Sequence, residues 1–173
     1  MEQIYTIPVN EALETTAADP ACGCPMCLLY RKLEENELDL ILGASMMEPD
    51  VRIRTNKEGF CRTHYDMMFV RKNRLGMALT LESHLAELAG DLNGKTGAGA
   101  AKRINALEKS CYVCSRVDFH FQHMAETLVL LFAADDEEEH FAAKLKAQPY
   151  FCLPHYTAFV TAARERMSKK EFS

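Results

Sequence analysis

The sequence predicts an all-α protein, a helical bundle of two pseudo-repeated halves, and three observations carry that expectation. Apolar residues recur at helical spacing, as in Leu81, Leu85, Leu88 and Leu92, and again in Val117, Phe121, Met124, Leu128 and Leu131. No stretch shows the clean alternation of a half-buried strand; "DVRIRTN", residues 50–56, is a short strand candidate at most. Finally, one pattern of cysteine and histidine occurs twice, and a repeat organises a chain before anything else does.

The repeat reads Cys24-Pro-Met-Cys27, 33 residues, Cys61-Arg-Thr-His64, and then Cys111-Tyr-Val-Cys114, 37 residues, Cys152-Leu-Pro-His155. The halves are offset by 87 residues at the first pair and 91 at the second, so one four-residue insertion aligns them. The strings "GFCRTHY" (59–65) and "YFCLPHY" (150–156) share Phe, Cys, His and Tyr at the same offsets.

Helices are expected near 10–18, 25–44, 62–75, 77–92, 99–110, 112–133, 135–147 and 153–168. Pro25 suits the first turn of the second helix, where a missing N–H costs nothing. Pro154 does the same for the last helix. Cys24 and Cys152 then stand at helix starts, with Cys27 and His155 one turn in and on the same side. The leucine stripe defines 77–92, and the Val117–Leu131 stripe defines 112–133. The acidic run "DDEEE" (135–139) reads as a solvated helix start, because acids favour a helix N-terminus. "NGKTGAGA" (93–100) reads as a Gly-rich joint between a first half, 1–92, and a second half, 101–173. Its "GKT" is not a phosphate loop: Ala89 stands where the first glycine is required, and the segment before it is helical, not a strand.

Composition narrows the function. The 173 residues are 48% hydrophobic and 26% charged, as in a soluble globular protein with a real core. The start "MEQIYTIPVNEALE" has neither the basic opening nor the apolar run of a signal peptide, and "LVLLFAA" is too short to span a membrane. A cytoplasmic location is expected. Seven cysteines in a reducing compartment favour metal or thiol chemistry over disulfides. A net charge of −5 weakens a general nucleic-acid reading, since such binding rests on neutralising phosphates. The basic stretch 52–74, with seven Lys/Arg against Glu58 and Asp66, keeps it open.

Three cysteines and one histidine per half suit structural zinc, which takes Cys3His in closed tetrahedral sites. Each half is expected to be clamped by its own site, made of Cys24, Cys27, Cys61 and His64 in the first half, and of Cys111, Cys114, Cys152 and His155 in the second. The spacing leaves open whether ligands pair within a half or exchange between halves. Iron suits similar ligands. Buried thiols that only pack are the metal-free alternative. With all ligands assigned no catalytic constellation remains, and no His-Glu-x-x-His motif is present. The sequence therefore points to an interaction or regulatory module more than an enzyme. The rival is a thiol redox protein or zinc-gated redox switch using Cys22, Cys24 and Cys27.

Lesser features take the plainer reading. His120, His123 and Glu126 have ligand spacing but lie off the buried stripe. His84 and His140 lie among charged residues and are expected at the surface, and the pairs Met46–Met47 and Met67–Met68 are expected to fill the core.

The strings "NEALE…CPMC", "MEPDVRIRTNKEGFCRTH", "LGMALTLESHL", "CYVC" and "FCLPHY" together resemble a family of uncharacterised bacterial proteins common in anaerobic Firmicutes. Its members share Cys-Pro-x-Cys, Asn-x-x-Gly-Phe-Cys-x-x-His and a later Cys-x-x-Cys with Phe-Cys-x-x-His. The likeness runs over most of the chain. It implies the paired-motif architecture and no particular activity.

Overall fold

A computed structural model describes residues 5–134 and 140–167. Among these, every regular element is helical: α1 (Thr6–Ala18), α2 (Pro25–Leu42), α3 (Pro49–Glu58), α4 (Arg62–Val70), α5 (Arg74–Leu92), α6 (Ala98–Glu108), α7 (Tyr112–Ala134), α8 (Phe141–Lys146) and α9 (Leu153–Arg166), with single 3-10 turns at Pro20–Cys22 and Ala44–Met47. The all-α expectation holds. The strand candidate 50–56 is helical instead, inside α3, where Pro49 opens the helix and Asp50 favours its N-terminus. The acidic run 135–139 lies outside the described residues.

The chain divides into two units, named here for their place in the sequence. The terminal unit combines Met1–Leu33 with Phe119–Ser173, and the central unit is Glu34–Asp118. These differ from the halves 1–92 and 101–173 that the repeat suggests. The boundaries between the units fall inside the long helices α2 and α7, whereas the expected joint, 93–100, lies within the central unit, where α5 ends and α6 begins.

The terminal unit is built on α1, the first turns of α2, most of α7, α8 and α9. Val9, Leu13, Met26, Leu29, Met124, Leu128 and Phe141 form its buried core, with Phe121, Leu131 and Phe159 packed against it. The Val117–Leu131 stripe is thus the buried face of α7, as its spacing predicts. Gln148 closes α1 from the side by donating through Nε2 to the carbonyl of Leu13 at 2.9 Å.

In the central unit, Leu38, Ile41, Leu42, Phe60, Met68, Met77, Val113 and Val117 are buried. Here α5 departs from the leucine stripe. Gly76, Met77, Thr80 and His84 form its buried face, while Leu85 is 57% exposed. His84 is therefore a core residue and not the surface histidine expected; its Nδ1 lies 2.7 Å from the carbonyl of Asn56, which satisfies the ring on burial. His140 is exposed, as expected. Met68 is fully buried, but Met47 is 69% exposed and fills no core.

Candidate metal centres

Each Cys-x-x-Cys or Cys-x-x-His pair sits at the start of a helix. The carbonyls of Cys24, Cys61, Cys111 and Cys152 each accept from the amide four residues on, at 3.1, 3.0, 3.0 and 2.9 Å. All four residues thereby hold the position that begins the helix, and Cys27, His64, Cys114 and His155 follow one turn in on the same side. This is the placement that Pro25 and Pro154 predict. The partial positive charge of a helix start favours thiolate there.

The eight residues gather as two clusters, and the gathering is crosswise. Cys24 and Cys27 meet Cys152 and His155 in the terminal unit; Cys61 and His64 meet Cys111 and Cys114 in the central unit. Pairing within each half is thus overturned: each cluster joins the Cys-x-x-Cys of one half to the Cys-x-x-His of the other. The spacing of 33 or 37 residues does not close a hairpin, because α2 and α7 carry the chain out of the unit that holds their own first ligand pair.

In each cluster the four potential ligand atoms lie within 4.8 Å of one another. His155 Nδ1 is 3.8, 3.3 and 3.2 Å from the sulfurs of Cys24, Cys27 and Cys152. His64 Nδ1 is 3.1, 3.2 and 3.5 Å from those of Cys61, Cys111 and Cys114. The sulfurs of Cys27 and Cys152 are 3.6 Å apart, and those of Cys61 and Cys114 are 3.9 Å apart. A tetrahedral zinc with its usual bond lengths places two sulfurs about 3.8 Å apart, and a sulfur and an imidazole nitrogen about 3.6 Å apart. Each of these eight separations lies within about half an ångström of those edges. Hydrogen bonding does not explain the geometry, since a ring nitrogen has one proton or one lone pair and cannot serve three thiols at once. Both clusters can coordinate a metal ion.

The local scaffold explains the positions. Gly59 precedes the Phe60-Cys61 turn at φ +62°, a conformation that glycine adopts without strain. Its carbonyl accepts from the Tyr112 amide at 2.9 Å, and Ser110 Oγ donates to the Glu58 carbonyl at 2.7 Å, so the start of α7 is held beside Cys61. In the other cluster, Phe121 and Tyr30 flank the His155 ring at 5.0 and 6.5 Å between centroids.

Electrostatics differ between the clusters. Burial opposes charge on His64, yet its hydrogen bond to Cys111, the charges of Cys111 and Cys61 and a bond to Glu34 push it up to about 9. Burial likewise raises Cys111, but the His64 bond and backbone amides bring it down to about 6. Burial and the charge of Cys111 hold Cys114 well above its ordinary value. In the terminal unit, burial, the bond to Cys152 and the charge of Cys24 push Cys27 up to about 12. Burial favours a protonated Cys152, but the His155 amide and the bonded thiols outweigh it and lower that group. Burial lowers His155 and favours the neutral imidazole, the form that binds a metal.

Cys22 stands apart on the Pro20–Cys22 turn, with its sulfur 3.5 Å from Asp19 Oδ2. That hydrogen bond to the carboxylate raises the thiol above its ordinary value, against the thiolate a redox role requires. His120 faces Tyr5, whose hydroxyl is 3.0 Å from its Nδ1, and His123 is bonded to the Phe119 carbonyl; neither joins a metal-ligating cluster among the described residues. In the basic stretch, Arg54 pairs with Glu58, Arg62 with Asp66 and Arg71 with Asp39. Among the described residues, part of its positive charge thus faces carboxylates of this chain. No described helix is long and apolar enough to cross a membrane.

Sequence reasoning did not find Glu34. Its Oε1 lies 3.0 Å from His64 Nε2 across 30 residues, and no spacing rule links the two positions.

The full chain, residues 1–173, matches the model of the Family of unknown function (DUF6062). No curated protein and no solved structure matches it.

Proposed function

For this chain, which belongs to the Family of unknown function DUF6062, we propose a zinc-stabilised helical module that acts through binding and not through catalysis. The observation that carries this reading is the geometry of three sulfurs and one Nδ1 around a common centre, formed twice by Cys24, Cys27, Cys152 and His155, and by Cys61, His64, Cys111 and Cys114. Three thiolates and one neutral imidazole give each occupied centre a formal charge of −1, which two helix starts offset in part. Four protein ligands fill a tetrahedral shell and leave no position for a substrate or an activated water, which favours a structural over a catalytic metal. Zinc supplies folding energy in such a site without redox chemistry. The module belongs in the cytoplasm, where free thiols stay reduced. The raised thiol of Cys22 weighs against the redox-switch reading.

Elemental analysis of protein purified without added metal or a His tag tests the proposal. About two zinc per chain is the expected result, one for each cluster. Folded, fully reduced protein with no metal overturns it and leaves the cysteines as packing groups. Two iron per chain replaces it with electron transfer.

A further inference from the structure

The two centres share a ligand set but not their surroundings. In the central unit His64 is 3% exposed, and its ring is held from both sides. Nδ1 faces the three sulfurs while Nε2 lies 3.0 Å from the carboxylate of Glu34, whose side chain is 18% exposed. A carboxylate accepts only, so Nε2 carries the proton and donates it, which leaves Nδ1 as the metal-binding nitrogen. Cys111 is buried beside it. The terminal unit buries one ligand, Cys24, against two in the central unit; Cys27, Cys152 and His155 are half-buried, as are Cys61 and Cys114. All hydrogen-bond contacts of His155 run through Nδ1 to the sulfurs, and its ring otherwise meets Phe121 and Tyr30, so no carboxylate fixes its tautomer among the described residues. The helix that carries it presents Leu153 and Tyr156 to solvent on either side, 82% and 56% exposed.

We infer that the centres have different duties: Glu34 is a positioning residue that makes the central centre a permanent structural site, and the terminal centre is an exchangeable one whose occupancy follows the supply of a thiophilic divalent cation. This rests on the zinc reading above. A carboxylate behind a ligating histidine fixes the ring and raises its basicity, and loss of such a partner lowers metal affinity about 10–100-fold. Burial adds to the difference, because a chelator reaches a metal through its exposed ligands first. The module therefore stays folded in its central unit while its terminal unit reports metal availability.

The test is zinc transfer from the loaded full-length chain to excess 4-(2-pyridylazo)resorcinol, followed by absorbance. Two phases of one zinc each are expected, with rates at least about tenfold apart. Cys24→Ser should remove the fast phase and Cys61→Ser the slow one. Glu34→Gln should speed the slow phase about 10–100-fold and leave the fast phase unchanged. It keeps all eight ligands, so it decides the matter even where a cysteine variant does not fold, and the fast phase serves as its internal control for general loosening. A single phase of two zinc, a slow phase that belongs to Cys24, or a Glu34→Gln variant that alters both phases alike or neither overturns the inference while the zinc reading stands. A chain that binds no zinc overturns both.

Discussion

The sulfurs of Cys27 and Cys152 lie 3.6 Å apart although 125 residues separate them, and each belongs to a different copy of the internal repeat. Ligand exchange between the copies is what this contact means, and it is directly measurable. The double variant Cys24→Ser with Cys152→Ser should lose one metal per chain, because both residues serve the terminal centre. Cys24→Ser with Cys61→Ser should lose both metals. Pairing within each half gives the reverse pattern, so metal content of these two proteins by mass spectrometry under native conditions decides between them.

Metal removal should cost the fold heavily. A structural zinc couples its binding energy to folding, and each kcal/mol moves the melting temperature of a chain this size by about 2–4 °C. Chelation under reducing conditions is expected to lower the melting midpoint by more than about 10 °C, or to abolish the cooperative transition. An unchanged calorimetric trace after complete zinc removal would contradict a structural role.

Zinc uptake should expel protons. In the metal-free clusters Cys27 is held up to about 12 and His64 up to about 9, so both carry their protons at neutral pH, and so does the raised thiol of Cys114. A metal binds thiolate and neutral imidazole, so these protons must leave. The sign follows: affinity rises with pH, and the stability that zinc contributes is present at neutral and alkaline pH and lost on acidification. Calorimetric titration in buffers of different ionisation enthalpy should show protons released. Uptake with no buffer dependence would count against coordination by these residues.

Gly59→Ala should destabilise the central unit by about 1–3 kcal/mol. The residue sits at φ +62°, and an added Cβ would lie 2.9 Å from both Leu107 Cδ1 and His84 Cε1, the latter on a buried, hydrogen-bonded ring. Gly94→Ala is the control, at φ +72° but with nothing within 4 Å of the new carbon, and should cost only the backbone strain of about 1–2 kcal/mol. Equal midpoints in denaturant for the two variants would show that the contact with His84 is unimportant.

Much of the site was legible in the chain because its grammar is local. Pro25 and Pro154 mark helix starts, and residues three apart at a helix start share a side, so four ligand pairs can be read by inspection. The face of α7 was legible for the same reason. The face of α5 was not: Leu81 and Leu85 have the right period, but burial chose the adjacent face through Met77, Thr80 and His84. Period alone does not say which side meets a neighbour, and a buried histidine becomes tolerable only once the Asn56 carbonyl is in place to bond it. Glu34 is the same kind of residue, ordinary in sequence and consequential only through His64.

The sequence by itself determined the helical class, the eight ligand candidates and their places at four helix starts. Tertiary structure alone decided which pairs meet. The order of ligands along the chain favours the nearer partner, but a helix carries its pair rigidly to wherever its apolar face is buried. Packing around Leu29, Leu128 and Phe141 therefore assembles one quartet, the buried side chains of the central unit assemble the other, and each quartet takes half its ligands from each copy of the repeat.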